Sequence, residues 1–352
     1  MKTLIVPMAG KSSRFPGMRP KWMLTHPKTN RYMCLESIQG LNLDFFDQIY
    51  FIFLAAHEIK YDFIAGFKGA LKEMGILEKS KWVLLDKETN SQAQTVYEAI
   101  IQEDIWGFIF IKDCDGYFRC NLKEPVNQVA YEDLNNIESI NPASKSYIQL
   151  DDNSNLTNIV EKQVISTSFC VGGYGFESSK DFIQFYLEVS KLNNEGYVSD
   201  IIYLMLLSNF RFQSISTSQF KDWGTIEEWN RYKEKFKCMF VDIDGTLITT
   251  SSNLFAPYTG SGKALNENIA ALNNLYLQGL TYTILTTSRA ENLRQLTVRE
   301  LSRHGILYDH LLMGLPHSQR ILINDFSESN SFPSSVAINL PRDSDNLKKY
   351  LN

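Results

Sequence analysis

The sequence predicts an α/β fold with a mostly parallel sheet, arranged in two domains. Short apolar runs of strand length alternate with longer stretches of helical character, which is the pattern of a parallel α/β sheet. A second series of such runs begins after a polar, helix-like stretch at residues 226–237. The 352-residue length suits two domains at roughly 150 residues each. We therefore predict domains at residues 1–235 and 236–352.

Four apolar runs define the first strands, and each ends close to polar residues. The predicted strands are residues 3–8, 48–54, 82–85 and 108–112, with helices at 59–74 and 95–103 between them. Residues 136–158 are rich in Asn, Ser and Asp and predict loops around an edge hairpin. Because ligands of open α/β sheets bind at the carboxyl ends of the strands, the polar residues there are the candidates for function.

The composition excludes several classes of function. The formal net charge of −5 gives no basic surface for nucleic acid or an anionic membrane. No apolar run approaches the ~20 residues of a membrane span, so we expect no membrane insertion. The five cysteines are scattered and the five histidines show no ligand spacing, which favours free thiols in a reducing cytoplasm. The sequence is compatible with a homo-oligomer of this chain.

The first candidate site is the polar loop after the first strand. Small residues would let backbone N–H groups approach phosphate oxygens, and the cations after them would neutralise the charge of a triphosphate. The small residues are Ala9, Gly10, Ser12 and Ser13, and the cations are Arg14 and Lys21. The spacing is not that of a P-loop. A tight turn with a solvated basic flank is the alternative.

These residues resemble the signature loop of the sugar-phosphate nucleotidyltransferases, with Ser12 in place of the usual second glycine. Further segments follow in the family's order. The resemblance assigns nucleobase recognition to Ser91, Gln92 and Thr95, metal binding to Asp115 (preferred over Asp113) and Asp222, and acceptor binding to Glu161, Lys162, Gly173 and Asp200.

The resemblance implies a Rossmann-like nucleotidyltransferase fold and transfer of a nucleotidyl group from an NTP to a phosphorylated sugar or polyol. Lys21 and Arg14 would be catalytic, and Mg²⁺ would be the cofactor. The compact loop favours CTP as the donor. Proteins of this kind commonly serve capsule or other surface-polysaccharide biosynthesis.

The second candidate site begins with two carboxylates, Asp242 and Asp244, in a D-x-D-G-T pattern after an apolar strand. This pattern resembles the haloacid-dehalogenase-like phosphatases, in which the first Asp is the nucleophile and the second the acid/base. Both would also bind Mg²⁺. The resemblance adds Thr287 (alternatively Thr286) for the phosphoryl group and Asp325, after a predicted strand at 321–325, for the metal. An EF-hand is excluded by spacing.

Departures from the phosphatase pattern leave alternatives. The expected lysine of the third motif is not evident, and Arg320 is a candidate replacement with different geometry. The short separation of Asp242 from Thr287 leaves room only for a minimal cap. A phosphatase-active second domain is expected, with a binding domain as the alternative. Two further alternatives are a sugar-phosphate phosphatase whose N-terminal domain only binds nucleotide, and a sensor without catalysis.

Overall fold

The computed structural model describes residues 1–137, 141–192, 196–250, 262–324 and 335–351. The chain divides into two compact units, Met1–Asn230 (unit 1) and Arg231–Asn352 (unit 2). The division falls inside the polar helix predicted from the sequence. Among the described helices, none combines the length and the apolar character that a bilayer span requires.

Unit 1 is built on a mixed sheet in which parallel pairs predominate along the central path, as predicted. The strand order is β10-β6-β9-β4-β1-β2-β3, with β7 and β8 added beside β9. β9 runs antiparallel to β4 and β6, while the remaining neighbours on the path are parallel. β5 and β11 form a separate antiparallel pair. The strands are β1 Lys2–Pro7, β2 Gln48–Leu54, β3 Ser80–Leu85, β4 Phe108–Lys112, β5 Gly116–Arg119, β6 Gln128–Asp133, β7 Ser146–Leu150, β8 Leu156–Glu161, β9 Ser168–Phe176, β10 Gln213–Ser216 and β11 Ser218–Asp222.

The helices of unit 1 cover both faces of this sheet. They are α1 Met33–Ser37, α2 Ala55–Tyr61, α3 Ile64–Glu73, α4 Gln92–Glu103, α5 Ser179–Leu192 and α6 Val198–Leu207. A further helix, α7 Ile226–Glu234, contains the point in the sequence where the two units divide. The single helix predicted at 59–74 is wrong, because Asp62 adopts a left-handed φ of 45° and ends α2. The Glu58 carboxylate then accepts hydrogen bonds from the N–H groups of Phe63 (2.9 Å) and Ile64 (3.1 Å), which starts α3.

Two hydrophobic cores lie on opposite faces of the sheet because strand side chains alternate. On β1, Ile5 packs into one core, while Leu4 and Val6 pack into the other. Each fully buried aliphatic side chain contributes roughly 1.5–3 kcal/mol. The cores fix the strand register, and the register fixes where the polar residues after each strand lie.

Unit 2 contains a three-stranded parallel sheet of order β12-β13-β14. Its elements are β12 Lys237–Asp242, α8 Asn266–Leu277, β13 Thr281–Thr286, α9 Arg294–Arg303 and β14 His310–Leu312. The strand predicted at 321–325 is wrong over its described part. Residues 321–324 form no strand, and Ile321, Leu322 and Ile323 are exposed. An apolar run becomes a strand only when a neighbouring strand pairs with it. Asp325 lies outside the described residues.

Candidate active sites

A cavity of about 620 Å³ opens in unit 1 beyond the carboxyl ends of β1 and β4. It gathers most of the residues that the sequence analysis selected from distant segments. Its walls include Gly10, Ser12, Ser13, Arg14, Lys21, Ser91, Gln92, Thr95, Asp115, Lys145, Glu161, Lys162, Tyr197 and Asp222. The loop after β1 and the acidic turn after β4 therefore face one another across the same space.

The polar loop is fixed at the end nearest β1. Ala9 is buried, and its carbonyl oxygen accepts a hydrogen bond of 3.3 Å from the Thr89 N–H. Gly10 and Thr89 form a parallel bridge. Ser12 adopts a left-handed φ of 48°, and its hydroxyl oxygen lies 3.4 Å from the Lys21 N–H that donates to it. The loop thus turns back on itself and returns to the cavity at Lys21.

The other end of the loop is held by an aromatic cluster. Trp22 is only 1% exposed and donates its indole N–H to His57 Nδ1 at 3.3 Å. Its ring centroid lies 4.6 Å from that of Phe53 and 4.7 Å from that of Phe63. Because Lys21 directly precedes this buried ring, its backbone position is fixed by packing.

Asp115 is paired with cations from the loop. Its carboxylate lies 2.5 Å from the Lys21 ammonium and 3.7 Å from the Arg14 guanidinium. Burial raises the pKa of Asp115, but the two cations lower it by more than burial raises it. The net pKa of Asp115 therefore lies well below the ordinary value. Burial lowers the pKa of Lys21, yet the Asp115 carboxylate more than offsets this, so that pKa is raised. Both groups are therefore charged at neutral pH.

Asp222 faces Asp115 across Gly224. A Cβ atom on Gly224 would lie 3.1 Å from Asp222 Oδ1 and 3.6 Å from Asp115 Oδ2, so both carboxylates approach the same backbone position. The Lys145 ammonium forms an ion pair with Asp222 Oδ2 and lies 5.6 Å from the centre of the Phe220 ring. The sequence analysis missed Lys145, because a single lysine in a polar loop carries no local signal.

The acidic turn is shaped from inside by Lys112, which is fully buried. Its ammonium donates to the carbonyl oxygens of Asp113 and Gly116, both at 2.8 Å. Burial lowers the pKa of Lys112 to about 8. Asp113 accepts a hydrogen bond from the Gln92 side-chain amide, so it orients Gln92, and burial raises the pKa of this carboxyl. Asp115 is the acid of this turn that the loop cations reach.

The start of α4 presents Ser91 and Thr95 to the cavity. The Ser91 hydroxyl accepts a hydrogen bond of 3.1 Å from the Gln94 N–H, which caps the helix. Thr95 is buried and shares a 2.6 Å hydrogen bond with the Thr89 hydroxyl. These contacts tie the helix start to the segment that pairs with Gly10.

The far end of the cavity carries Glu161 and Lys162. The Glu161 carboxylate accepts hydrogen bonds from the hydroxyls of Ser146 and Ser199, the latter at 2.7 Å. Lys162 has a left-handed φ of 56°, and its ammonium donates to the Tyr197 hydroxyl at 2.6 Å. This end therefore combines a hydrogen-bond acceptor with a cation.

Two predicted acceptor-binding residues lie away from the cavity wall. Gly173 packs against the core, because a Cβ atom added to it would lie 2.7 Å from Phe118 and 2.9 Å from Ala130. Its neighbour Gly172 lines the cavity instead. The Asp200 carboxylate accepts the Tyr197 N–H at 3.0 Å. Asp200 therefore supports Tyr197 rather than facing the cavity itself.

The carboxylate pair fits a magnesium ion that arrives with phosphates. No cluster of three or more His, Cys, Asp or Glu side chains arranged for a metal occurs in the ranges that the structure describes. Mg²⁺, however, is usually held by one or two carboxylates together with water and phosphate oxygens. Asp115 and Asp222 supply two carboxylates, and both approach the backbone at Gly224.

Solved structures with a similar fold are nucleotide-sugar enzymes. A nucleoside-diphosphate-sugar pyrophosphorylase from Vibrio cholerae RC9 superposes with a TM-score of 0.54 at 19% identity, covering 66% of this chain and 99% of its own. A UDP-glucose pyrophosphorylase complexed with UDP-glucose gives 0.51 at 15% identity, covering 66% and 97%. About two thirds of this chain therefore has the fold of the sugar-phosphate nucleotidyltransferases.

An inositol-1-phosphate CTP transferase from T. maritima shares this nucleotidyltransferase fold, with a TM-score of 0.50 at 10% identity, covering 64% of this chain and 90% of its own. No protein-family model and no curated protein sequence matches the chain. The likeness is therefore one of fold.

The second candidate site, in unit 2, begins with Asp242 at the end of β12. Its carboxylate accepts a hydrogen bond of 3.0 Å from the Arg320 guanidinium. Burial raises the pKa of Asp242 above the ordinary value, and Arg320 offsets part of that rise. Arg320 thus lies where a cation would meet a group bound at Asp242.

Asp244 is held by a buried arginine. Arg289 donates from Nη2 to Asp244 Oδ1 at 2.7 Å and from Nε to Oδ2 at 3.0 Å, and its other nitrogen reaches Glu300 at 2.6 Å. The Thr287 hydroxyl donates to Asp244 Oδ2 at 3.1 Å, whereas Thr286 donates to a strand carbonyl. Burial lowers the pKa of Arg289, but the two carboxylates more than offset this and raise it. Arg289 and Thr287 together fix the orientation of the Asp244 side chain, and Arg289 has no local sequence signal that could have identified it.

Proposed function

We propose that unit 1 transfers a nucleotidyl group from an NTP to a phosphorylated sugar or polyol and releases pyrophosphate. One observation carries the proposal. The small-residue loop, two opposed carboxylates and three cations, Arg14, Lys21 and Lys145, converge on a single cavity. The nucleotidyltransferase fold supports the same reaction class.

The chemistry requires charge neutralisation more than proton transfer. An oxygen of the acceptor phosphate attacks the α-phosphorus, a new P–O bond forms, and the bond to the β-phosphate oxygen breaks. The attacking oxygen is already ionised at neutral pH, so no protein nucleophile is needed. Lys21 and Arg14 neutralise the triphosphate near the Gly10 loop. Asp115 and Asp222 would hold Mg²⁺, which supplies further positive charge beside the phosphates.

The far end of the cavity suits a phosphorylated polyhydroxy compound. The Lys162 ammonium supplies a phosphate contact. Glu161, held by two serine hydroxyls, presents a fixed acceptor for substrate hydroxyl groups. The position of Tyr197 is set by the hydrogen bond from Lys162 to its hydroxyl and by the bond from its N–H to Asp200.

We favour CTP as the donor and surface-polysaccharide assembly in the cytoplasm as the setting. The compact loop between Gly10 and Pro20 supports CTP. The likeness in fold to an enzyme described as an inositol-1-phosphate CTP transferase supports a cytidylyl donor and a polyol phosphate acceptor.

The decisive experiment is a panel of the four NTPs against pooled sugar and polyol phosphates with Mg²⁺, read as pyrophosphate release and by mass spectrometry of the products. We expect one NTP to be consumed and an NDP-linked product to appear. Asp115→Ala should abolish the product. Pyrophosphate release at background level with every NTP and acceptor would refute the proposal and leave a binding or sensing role.

For unit 2 we propose a phosphomonoesterase of the haloacid-dehalogenase type with Mg²⁺ as cofactor. The Asp242 carboxylate attacks phosphorus, the ester P–O bond breaks, and Asp244 in its protonated form gives its proton to the leaving oxygen. Water then attacks the aspartyl phosphate, gives a proton back to Asp244 and releases phosphate. The hold of Arg289 on Asp244 favours a second candidate, a phosphate-ester-binding unit without turnover.

Hydrolysis of p-nitrophenyl phosphate and of sugar phosphates separates these candidates. Turnover that Asp242→Asn abolishes supports the phosphatase, and binding without turnover supports the second candidate. The overall alternative, a sugar-phosphate phosphatase with a non-catalytic nucleotide-binding unit 1, requires Asp242→Asn to remove all activity. Our proposal expects this variant to retain nucleotidyl transfer.

A further inference from the structure

A segment close to the end of the sequence, residues 341–347, lies against the turn that follows Asp242. The N–H of Asp343 donates to the carbonyl oxygen of Gly245 at 2.8 Å, and Gly245 has a left-handed φ of 89°. The Asp343 carboxylate accepts hydrogen bonds from the N–H (2.8 Å) and the hydroxyl (2.9 Å) of Thr250. The segment is thereby fixed to both sides of the turn.

A second set of bonds holds the same segment to the start of α8. The Asp345 carboxylate accepts the N–H groups of Asn268 at 2.7 Å and Glu267 at 3.1 Å. The fully buried Asn268 side-chain amide donates to the carbonyl oxygens of Thr246 and Ser344, both at 2.8 Å. These bonds leave little conformational freedom to the residues between Pro341 and Leu347.

Arg342 is the residue that this anchoring brings to the site. Its Cγ atom lies 3.1 Å from the position that a Cβ on Gly245 would occupy, so its stem packs on the turn. The Arg320 guanidinium donates to the Asp242 carboxylate at 3.0 Å, in the same short stretch of chain as Gly245. Two arginines from separate segments therefore lie at the turn that carries Asp242 and Asp244.

We propose that Arg342 is a phosphate-binding residue of unit 2. It acts with Arg320 in place of the third-motif lysine of the phosphatase pattern, which is not evident in this sequence. The inference rests on the phosphate-ester site proposed for unit 2. A phosphate dianion that approaches an ionised carboxylate is repelled unless positive charge lies beside it. Guanidinium groups offer paired N–H donors that match phosphate oxygens.

The test uses the intact chain, with Mg²⁺ present and inorganic phosphate as the probe, in isothermal titration calorimetry. Arg342→Gln keeps the stem that packs on Gly245 and removes the charge, so we expect phosphate affinity to fall about tenfold. Arg342→Lys should recover part of the affinity, which a purely structural role would not predict. Arg299→Gln, on the exposed face of α9, is the matched control and should bind like the wild type. Unchanged melting by circular dichroism verifies folding.

Two outcomes would overturn the inference, and they differ in what else they remove. If Arg342→Gln binds phosphate as tightly as the wild type while Arg320→Gln binds it less tightly, Arg342 has no such role and the phosphate site stands. If the wild-type chain neither binds phosphate nor hydrolyses p-nitrophenyl phosphate, the function proposed for unit 2 fails as well.

Discussion

From the Lys145–Asp222 ion pair we predict how much free energy of unfolding the substrate-free unit 1 loses when the pair is broken. The side chains are only 16% and 10% exposed, so Lys145→Met leaves a largely buried carboxylate without its cation. Breaking a buried pair from one side typically costs about 3–5 kcal/mol, and we expect about 3 kcal/mol because this pair borders an open cavity. Urea unfolding without metal, followed by tryptophan fluorescence, measures the loss. All five tryptophans lie within residues 1–230, so the signal reports on unit 1 alone.

A second substitution tests the cause. Lys145→Met combined with Asp222→Asn removes the uncompensated charge, so the double variant should regain most of the lost stability. Lys79→Met is the control, because its partner Asp44 is exposed and its loss should be about 1 kcal/mol or less. The reasoning is refuted if Lys145→Met costs no more than the control, or if the double variant is no more stable than the single one.

Three further predictions concern both units. Asp115→Ala should abolish pyrophosphate release while Asp242→Asn leaves it at the wild-type rate; equal loss in both variants would contradict separate sites. The pKa of Lys112 is lowered to about 8, so its buried ammonium destabilises the fold below that pH, and this penalty lifts as the pH rises from 8 towards the ordinary value near 10.5. Wild-type stability relative to Lys112→Met should therefore rise by about 2 kcal/mol between pH 8 and 10, measured by urea unfolding, and a flat difference would argue against it. Gly173→Ala would overlap core atoms 2.7 Å away and should cost about 1–3 kcal/mol, whereas Gly10→Ala, with nothing within 4 Å, should melt like the wild type.

The sequence was sufficient for the elements whose signal is local. The apolar runs of β1, β2 and β4 are continuous and buried, and the structure confirms them as strands. The break at Asp62 escaped prediction, because the pattern on either side is helical and the interruption depends on one left-handed residue. The strand predicted at 321–325 failed because composition alone does not make a strand. The apolar residues 321–323 suit a strand, but the described residues there have no pairing partner.

The residues of the candidate sites also divide into those with a local sequence signal and those that only tertiary contacts reveal. Lys21 and Asp115 sit in recognisable loops after strands, and their convergence could be anticipated from the rule that strand ends meet. Lys145 and Arg289 were not predicted, because each pairs with a carboxylate that is distant in the sequence. A lone cation has no pattern, and only the three-dimensional arrangement shows which carboxylate it neutralises.

The loop between Gly10 and Pro20 is held at both ends. The bridge between Gly10 and Thr89 holds its start, and the buried ring of Trp22, two residues after Pro20, holds its end. Between these two anchors, most residues from 11 to 19 are exposed or only partly buried. In the reaction proposed for unit 1, adaptation to the triphosphate would fall to these middle residues, while the anchored end keeps Lys21 beside Asp115.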